Sequence, residues 1–475
     1  MQLLRRVICL LLACFTPACT QFVPAQTPPA ATTSQPNIIF ILADDLGWTD
    51  LGCQGSGFYQ TPNIDRLARE GLRMTSGYTC GPNCQPTRAA LMTGLYGPRT
   101  GVYTVGGIDR FDWTSRPLRP ADNVIKLPTK FPTIANVLSQ SGYATAMFGK
   151  WHLGETPQHH PSQRGFNEAI VSMGKHFNFN TNPTVDYSKG TYLADFLTDR
   201  AEDFIRRHKD RPFFLYLPHF GVHSPHQAKP ELIERFRARP AAAGHHDPVY
   251  AAMIASVDES VGRILNTLEE LQLTKNTLVI FSSDNGGVGG YVREGVKASG
   301  DVTDNSPLRS GKGSLYEGGV RVPWIARWPE TIPPGTSDTP VISVDLLPTF
   351  AELAGTPPEQ RPATDGVSLA AFLKSGGTTP LERDLFWHFP GYLGAGPGAW
   401  RTTPVSAIRS GNWKLLEFLE DHRLELYDLN SDLSQQHNLA ATNPSKAAEL
   451  LEKLKNWRSS TAAPMPQANP GPPRK

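Results

Sequence analysis

Four apolar segments, each followed at once by polar residues, constrain the fold of this chain more than any single motif. The segments are NIIFILADD, YATAMF, PFFLYLPHF and NTLVIFSSDNGG. Continuous apolar runs of this length are typical of strands that are buried on both faces of a sheet. In an open α/β sheet the functional site lies beyond the carboxyl ends of the strands. We therefore expect the polar residues that follow the segments to meet at one sheet edge: Asp44 with Asp45, 149–154, 218–223, and Asp284 with Asn285.

Helix signals alternate with these strands. The segment 61–71 begins with Thr61 as a helix N-cap and Pro62 in the first turn, and it ends at Gly71. Residues 248–273 carry apolar side chains at helical spacings, which predicts a long amphipathic helix. Strands that alternate with helices predict an α/β domain layered around a large, mostly parallel sheet.

A change in sequence pattern near residue 375 predicts a second, smaller domain. We expect a catalytic α/β domain over 36–375 and a C-terminal α+β domain of short strands and one helix over 376–460. The last segment, 461–475, is rich in proline and is expected to be a disordered tail.

The first 20 residues are typical of an export signal, with Arg5 and Arg6 before an apolar core too short to span a bilayer. The segment LLAC resembles a bacterial lipoprotein box with Cys14 as the lipid-carrying residue, and Cys19 in TPAC is a second candidate. The alternative is ordinary cleavage and release of a soluble protein. Residues 21–35 are rich in Pro, Ala and Thr and are expected to form a flexible linker. We expect a periplasmic, outer-membrane or secreted protein, with membrane contact only through an N-terminal lipid anchor.

Charge and cysteine content narrow the classes of function. The 46 basic and 44 acidic residues give a net charge of +2, which provides no electrostatic reason to expect a nucleic-acid partner. Three cysteines lie outside the export signal, and an odd number is unusual in an oxidising compartment. Either Cys53 pairs with Cys80 and leaves Cys84 for chemistry, or all three are unpaired thiols.

The carboxylates at two predicted strand ends indicate a metal site. Asp44 and Asp45 are adjacent, and such carboxylates repel each other unless a cation lies between them. With Asp284 and Asn285 they offer oxygen ligands and no histidine, which favours a hard cation such as Ca²⁺ or Mg²⁺. The alternative for either motif alone is turn chemistry at a strand end. The occurrence of both motifs favours the metal.

The segment CQPTRAALMTG predicts a reactive position at a helix start. Pro86 suits the first turn of a helix, and Gly94 ends it. Cys84 then lies at the helix N-terminus, where free N–H groups favour an anion and are expected to lower the pKa of a thiol. Arg88 lies one turn further on the same face. The alternative is a structural cysteine before a capped helix.

Three further segments offer cations and acid–base groups. In GKWHLG, Lys150 and His152 alternate, so on an extended chain both side chains point the same way, as an oxyanion site requires. Lys312 lies in a loop rich in Gly and Ser and is a candidate to bind an anion. In isolation each of these residues is more often a packed or solvated side chain. The acid–base candidates in PHFGVHSPH, of which we expect at least one to be simple packing or surface, are His219, His223 and His226.

Taken together, these segments resemble the sulfatase family of the alkaline-phosphatase superfamily, in its formylglycine-dependent, cysteine-type branch. The resemblance implies an alkaline-phosphatase-like fold and the hydrolysis of sulfuric esters. Thr87 replaces the serine that is most common at its motif position. The matching pieces run in family order and are PNIIFILADDLGWTDLG, CQPTRAALMTG, GKWHLG, GVHSP, FSSDNGG, GKGSLYEGGVRVPWI and LELYDLNSD.

The resemblance also implies how the nucleophile is made and held. A maturation enzyme that reads C-x-P-x-R converts Cys84 into Cα-formylglycine, whose hydrate is the nucleophile. Arg88 holds that hydrate. One Ca²⁺ contacts residue 84 and the sulfate, and its remaining ligands are Asp44, Asp45, Asp284 and Asn285.

The other matched residues handle the sulfate and the protons. Lys150 and Lys312 bind sulfate oxygens by this resemblance. His152 touches the hydrate and is the base that collapses the sulfated intermediate, while His223 lies near the leaving-group oxygen. The family motif does not specify a residue at position 226, so His226 receives no role.

The implied function is removal of sulfate from a sulfated carbohydrate or an aryl sulfate, and export favours polysaccharide or glycosaminoglycan fragments. One alternative is a phosphodiesterase or phosphonate monoester hydrolase of the same superfamily. Another is a catalytically inactive carbohydrate-binding lipoprotein. His388 lies among aromatic residues in DLFWHFPGY and is a candidate for a sugar subsite or, equally, for a core aromatic cluster.

Overall fold

The computed structural model describes residues 35–296, 300–396 and 398–471, so the predicted export signal and residues 21–34 of the predicted linker lie outside the described residues. The strands are β1 (Asn37–Ala43), β2 (Leu72–Met74), β3 (Gly77–Tyr78), β4 (Leu118–Arg119), β5 (Ala144–Gly149), β6 (Glu168–Val171), β7 (Phe213–Pro218), β8 (Thr277–Ser283), β9 (Trp324–Arg327), β10 (Gly335–Ser337), β11 (Val341–Ile342), β12 (Asp384–Phe389), β13 (Leu393–Gly396), β14 (Ala399–Thr402), β15 (Val405–Ser410), β16 (Trp413–Phe418), β17 (Leu424–Asp428) and β18 (Gln467–Ala468). The α-helices are α1 (Pro62–Arg69), α2 (Cys84–Thr93), α3 (Gly97–Thr100), α4 (Ile134–Gln140), α5 (Leu193–Arg207), α6 (Pro230–Arg237), α7 (Pro248–Glu270), α8 (Glu317–Val320), α9 (Leu346–Leu353), α10 (Ala370–Lys374) and α11 (Pro444–Ser460).

An eight-stranded mixed sheet forms the centre of the fold, in the order β10-β2-β9-β8-β1-β7-β5-β6. β1 pairs in parallel with β7 and β8, and β5 pairs in parallel with β7 and β6. β9 pairs antiparallel with β8 and β2, so it alone runs against the other strands of this sheet. The predicted α/β domain with a mostly parallel sheet is confirmed, and the four apolar segments are β1, β5, β7 and β8.

The side chains of β1 alternate between two hydrophobic cores, one on each face of the sheet. Ile39 and Ile41 pack with residues of α1, α5, α6 and α7. Ile38 and Phe40 pack with residues of α2, α4, α9 and α10. Because both faces are covered, the strand is continuously apolar rather than alternating.

The helices that the sequence predicts from their end signals are present. α1 begins at Pro62, directly after Thr61. α7 covers Pro248–Glu270, slightly short of the predicted end, and the Asp247 carboxylate caps it by accepting the N–H of Val249 at 2.8 Å. None of the helices in the described ranges combines the length and apolarity needed to cross a membrane.

A four-stranded antiparallel sheet, β12-β15-β16-β17, follows the large sheet along the chain. Ile408 from this sheet packs with Leu450 of α11. Trp387 lies in a separate core together with Tyr78 and Val320, which belong to the first part of the fold. Short strands and one helix match the expected content of 376–460, while the boundaries themselves stay a prediction.

Residues 461–471 do not form the predicted disordered tail. β18 pairs antiparallel with β4. The Asn469 side-chain amide donates to the carbonyls of Thr114 and Arg116 at 2.8 and 2.7 Å. Proline lacks only the backbone N–H donor, so a proline-rich segment can still be held through its carbonyls and its other side chains. Residues 472–475 lie outside the described residues.

The three cysteines of the described chain are free thiols. The pairing of Cys53 with Cys80 is therefore wrong, and the alternative of three unpaired thiols holds. Cys80 is buried, and its sulfur accepts a hydrogen bond from the Ser343 hydroxyl at 3.3 Å.

Candidate active site

The polar segments after the central strands meet at one edge of the sheet, as predicted. Backbone hydrogen bonds continue past the strand ends, where the Asp44 N–H donates to the Gly221 carbonyl at 2.9 Å and the Val222 N–H donates to the Asp44 carbonyl at 2.7 Å. The Lys150 N–H donates to the Pro218 carbonyl at 2.8 Å. These bonds tie together the loops after β1, β5 and β7, and so they position the side chains that those loops carry.

Asp44 and Asp45 present two buried carboxylates to this site. Asp45 has a φ of 66°, in the left-handed region that Asp adopts more readily than most residues. Lys150 Nζ lies 2.5 Å from Asp44 Oδ2, and Lys312 Nζ lies 2.6 Å from Asp45 Oδ1. Burial by itself raises the pKa of both carboxyls, but the lysine cations outweigh it and hold both pKa values below the ordinary value. Both groups are therefore ionised at neutral pH.

Arg88 is fully buried beneath the site and fixes neighbouring groups through its guanidinium hydrogen bonds. Its Nε and Nη2 donate to Asp284 Oδ2 at 2.9 and 2.7 Å, and its Nη1 donates to the Lys150 carbonyl at 2.7 Å. Burial and the nearby charge of Asp44 raise the pKa of Asp284 to about 6, against the opposing charge of Arg88. Arg88 thus orients a carboxylate and the loop that carries Lys150.

Cys84 is the first residue of α2, as the sequence predicts. Asn83 is the N-cap residue, and Gly94, with a φ of 68°, ends the helix. The Cys84 thiol donates to Asp44 Oδ1 at 3.4 Å and lies 3.9 Å from Asp45 Oδ1. The helix start therefore delivers this side chain directly to the carboxylates.

The expected lowering of the thiol pKa is wrong. Burial, and next the negative charge of Asp284, raise the pKa of Cys84, although Lys150 and Lys312 oppose the shift. A buried thiolate among carboxylates loses its hydration and meets like charges, and these effects exceed that of the helix N-terminus. Unmodified Cys84 is therefore held as a neutral thiol.

His152 lies on the loop after β5 and His223 lies on the loop after β7, and both line the cavity described below. His152 Nδ1 is buried and has no hydrogen-bond partner in the described part of the chain. Burial, then the charges of Lys150 and Arg88, lower the pKa of His152 to about 2, so its ring is neutral. His223 Nδ1 lies 2.6 Å from the Ser224 carbonyl, and its Nε2 lies 3.7 Å from Asp45 Oδ2. Because a carbonyl only accepts, Nδ1 of His223 carries a proton, and Nε2 is the nitrogen that can gain or lose one.

The remaining histidine candidates, His219 and His226, are not among the residues that line the cavity described below. His219 is fully buried with its Nε2 3.0 Å from the Ser260 hydroxyl, which makes it the packing residue expected in this segment. The ring of His226 lies edge-on to Tyr250.

His388 does not line a sugar subsite. It is buried, and its two ring nitrogens lie 2.8 Å from the Ser406 hydroxyl and 2.8 Å from the Pro464 carbonyl. Its ring also lies edge-on to Tyr103 at 6.0 Å. The alternative of a core aromatic cluster describes this residue, whose hydrogen-bonding groups are both used inside the protein.

The residues at the sheet edge fit a bound cation. Asn285 Oδ1 is buried without a hydrogen-bond partner in the described residues, while its Nδ2 donates to Asp45 Oδ1 at 2.8 Å. A buried carbonyl oxygen without a partner is costly, and a cation beside it removes that cost. Potential ligand atoms of Asp44, Asp45, Cys84 and His223 all lie within 4.8 Å of one another. Asp284 Oδ1 accepts the Asp45 N–H at 3.2 Å, next to the same group.

A cavity of about 320 Å³ opens over these residues. Of the predicted set, it is lined by Asp45, Cys84, His152, His223 and Lys312. The predicted residues that contact the same cluster without lining this cavity are Asp44, Arg88, Lys150, Asp284 and Asn285. A cavity of about 990 Å³ elsewhere, lined by Arg327 and Glu269 among others, contains none of the predicted residues, so size alone does not mark the site.

Four polar residues outside the predicted set line the same cavity, namely Asn83, Arg110, Ser224 and Arg401. Arg110 lies in the long connection between α3 and β4, and Arg401 lies on β14 in the C-terminal part of the chain. Neither belongs to a motif or follows a central strand. Only the packing of β13 and β14 beside the site brings them there, and no sequence pattern marks that packing.

Two family models match the chain. The model described as Sulfatase matches residues 36–356. The model described as N-sulphoglucosamine sulphohydrolase, C-terminal, matches residues 311–460.

Individual proteins resemble the chain over most of its length. A sulfatase of Formosa agariphila is 34% identical, in an alignment that covers 90% of each chain. An N-acetylgalactosamine-6-O-sulfatase of Bacteroides thetaiotaomicron is 29% identical and is matched over 93% of this chain and 96% of its own. The crystal structure of Ps i-CgsB in complex with k-i-k-neocarrahexaose matches with a TM-score of 0.74 and 30% identity, over 89% of this chain and 93% of that chain.

Proposed function

The chain belongs to the sulfatase family and is a sulfatase, and from this premise we propose that its substrates are sulfated carbohydrates. We further propose that Cys84, converted to Cα-formylglycine by a maturation enzyme, supplies the nucleophile, and that the carboxylate cluster binds one Ca²⁺. One observation carries the proposal. The Cys84 side chain meets Asp45, Lys312 and two histidines at a single cavity of about 320 Å³.

The proposed Ca²⁺ ligands are Asp44, Asp45, Asp284 and Asn285, whose donor atoms are all oxygens, the ligand type that Ca²⁺ prefers. When bound there, Ca²⁺ supplies positive charge that stabilises the negative charge on the sulfuryl oxygens. Asn285 Oδ1, which has no partner among the residues that the structure describes, supports this assignment.

Lys150 and Lys312 are the residues that we propose to bind sulfate oxygens. Each holds its ammonium group at the carboxylate cluster, and Lys312 also lines the cavity. Fixed positive charges in a site of this kind need no reorganisation when negative charge develops during the reaction. Arg88 supports this arrangement indirectly, because its guanidinium group donates hydrogen bonds to Asp284 and to the carbonyl of Lys150 and so fixes their positions.

The two histidines can move protons at the atoms that the structure leaves available. His152 lines the same cavity as Cys84, and its Nδ1, which has no partner among the described residues, is the atom that we propose to accept a proton from the nucleophile. His223 uses Nδ1 toward the Ser224 carbonyl, which leaves Nε2 to carry a proton to the leaving-group oxygen. General acid–base help of this kind is typically worth roughly 10²–10⁴-fold in rate.

A carbohydrate substrate is favoured by the relatives and by the size of the cavity. One relative is named an N-acetylgalactosamine-6-O-sulfatase, and one solved neighbour holds k-i-k-neocarrahexaose. The cavity of about 320 Å³ suits a small part of a saccharide. Export, proposed from residues 1–20, places such an enzyme where polymeric substrates occur.

The direct test combines a mass measurement with a substrate comparison. The protein is produced together with a formylglycine-generating enzyme, and the peptide that contains position 84 is analysed by mass spectrometry. We expect the mass of an aldehyde in place of the thiol, and turnover of p-nitrophenyl sulfate well above that of phosphate mono- and diesters. A retained thiol in active protein, or a clear preference for phosphate diesters, contradicts the proposal.

A further inference from the structure

Two arginines that no motif explains, Arg110 and Arg401, line the same cavity as Cys84. The cavity lining also includes Lys312 and a single carboxylate, Asp45, which forms an ion pair with Lys312. Arg110 and Arg401 therefore bring two positive charges to a lining whose one carboxylate already pairs with Lys312. Such a lining is suited to an anionic ligand.

Arg110 is exposed and stands at the end of the short helical turn Ile108–Arg110. Its Nη1 donates to the Val105 carbonyl at 3.1 Å, and its guanidinium carbon lies 5.1 Å from the centre of the Phe111 ring. No carboxylate lies within ion-pair distance of Arg110 among the residues that the structure describes. Burial of part of the side chain lowers the pKa of Arg110; the nearby Cys84 opposes this shift, and the positive charge of Arg401 adds to it.

Arg401 is held in place by neighbours of Lys312. Its guanidinium carbon lies 4.5 Å from the centre of the Tyr291 ring, and the buried Tyr291 hydroxyl donates to the Lys312 carbonyl at 2.7 Å. Its aliphatic stem runs past Gly313, where an added Cβ lies 3.5 Å from Arg401 Cδ. The side chain therefore has a defined position beside a residue proposed to bind sulfate.

Backbone packing brings the two arginines to one wall of the cavity. β13 and β14 form a two-stranded sheet, and β13 supplies Leu393 and Gly394 to the lining. A Cβ added to Gly394 would lie only 2.5 Å from the Phe111 ring. The absence of a side chain at this position therefore lets the loop that carries Arg110 approach β13 closely. The Phe111 ring also lies edge-on to Trp400, the residue before Arg401, with 6.5 Å between ring centres.

We infer that Arg110 and Arg401 bind a second anionic group of the substrate while the site holds the sulfate that is to be cleaved. The inference rests on the proposed carbohydrate sulfatase function. The second group is a carboxylate or a further sulfate ester on the same or the adjacent sugar, because guanidinium groups bind both kinds of oxyanion with paired hydrogen bonds. Arg110 and Arg401 are then residues that determine specificity, and doubly anionic saccharides are the preferred substrates.

The test compares three saccharides that share one cleavable sulfated sugar. The first carries no other charge, the second has a uronic acid neighbour, and the third has a second sulfate that is not cleaved. Values of kcat/KM are measured for the wild type, Arg110→Gln, Arg401→Gln and the charge-conserving Arg401→Lys. Arg206→Gln is the matched control, since Arg206 is an exposed residue of α5 that pairs with Glu270.

We expect the Arg→Gln variants to lose roughly 10- to 100-fold in kcat/KM on a doubly anionic saccharide, as lost hydrogen bonds to charged groups predict, and several-fold less on the singly sulfated one. Arg401→Lys retains part of the preference, and Arg206→Gln behaves as the wild type. A selective loss with the uronate identifies a carboxylate as the second group, and a selective loss with the disulfated saccharide identifies a sulfate. Either result supports the inference.

Two results overturn it. If both Arg→Gln variants lose activity equally on all three saccharides, or on none, the arginines do not recognise a second anion, while the proposed sulfatase function stands. If the wild type hydrolyses p-nitrophenyl sulfate but none of the three saccharides, the carbohydrate substrate is wrong and the inference falls with it.

Discussion

At the scale of single residues, the site depends on charges that neutralise one another at short range. Asp44 pairs with Lys150, Asp45 with Lys312, and Asp284 with Arg88. Asn285 is the exception, since its Oδ1 lacks a partner within the described chain. An unsatisfied oxygen beside paired carboxylates marks the place where a cation adds most to the stability of the fold.

The first prediction concerns Asn285 and Ca²⁺. We expect added Ca²⁺ to raise the melting temperature of the wild type, because ligand that binds only the folded state stabilises it. Asn285→Ala is expected to need at least about tenfold more Ca²⁺ for the same rise, since altered metal surroundings typically cost 10- to 100-fold in affinity. The measurement is the melting temperature across a Ca²⁺ titration. Asn430→Ala, at an exposed turn, is the control, and identical titrations for all three proteins contradict the proposed ligand.

The identities of these residues could be predicted from the sequence, but their electrostatic states could not. Asp44, Asp45 and Asp284 follow apolar runs, so their meeting at one edge follows from the parallel sheet. The pKa of Cys84 depends instead on which groups surround it in three dimensions. Its position at a helix start suggested a lowered pKa, whereas burial raises it. The local sequence predicts the helix start, but it does not show how strongly the folded protein removes water from the Cys84 thiol.

At the scale of elements, residues 461–471 form ordered contacts that their proline-rich composition did not predict. Residues 461–471 reach β4 through β18, and the Pro464 carbonyl lies at His388 on β12. A proline-rich segment has no apolar periodicity from which a strand can be predicted. Its hydrogen bonds depend on groups that the rest of the fold brings to it, such as β4 and the His388 ring. The central strands, by contrast, are continuous apolar runs and the long helices have apolar residues at helical spacing, so both could be predicted.

The second prediction concerns the pH dependence of stability at this contact. Burial lowers the pKa of His388 to about 4, against about 6.5 for an unfolded chain. Between these values the unfolded state binds more protons, so the free energy of unfolding falls as the pH falls from about 6.5 to about 4. The contribution of this one residue is at most about 1.4 kcal/mol per pH unit.

Urea unfolding at several pH values measures this dependence. His388→Gln is expected to lose less stability on acidification than the wild type, and His437→Gln, at an exposed position, is expected to follow the wild type. If His388→Gln and the wild type lose stability equally between about pH 6.5 and pH 4, His388 is not the responsible group.

At the scale of the whole molecule, charge is balanced overall and concentrated locally. The net charge is only +2, yet Arg110, Arg401 and Lys312 line one small cavity with one carboxylate. The totals give no electrostatic reason to expect a nucleic-acid partner, and they carry no information about the charge of this cavity. Arg110 lies on a loop and Arg401 lies on β14, far apart in the chain. No pattern in the sequence indicates that these two residues meet at one cavity.

The third prediction is that salt weakens catalysis in proportion to substrate charge. We expect kcat/KM to fall between about 0.05 and about 0.5 M NaCl more steeply for a doubly anionic saccharide than for p-nitrophenyl sulfate, because screening acts on each exposed charge pair. Because the net charge of the whole protein is only +2, long-range attraction by the protein as a whole contributes little to the rate with either substrate. Steady-state rates across the salt series provide the measurement, and equal slopes for the two substrates contradict a local source of the attraction.

We propose that residue 84 is the nucleophile that releases sulfate from a carbohydrate in this fold. The most direct measurement is the release of inorganic sulfate from a panel of defined sulfated saccharides by the wild type and by Cys84→Ala, each produced with a formylglycine-generating enzyme. We expect the wild type to release sulfate from at least one saccharide, and Cys84→Ala to be slower by at least about 10³-fold, because removal of a nucleophile leaves only binding and electrostatic contributions. Sulfate release by Cys84→Ala at a rate close to that of the wild type would contradict the account.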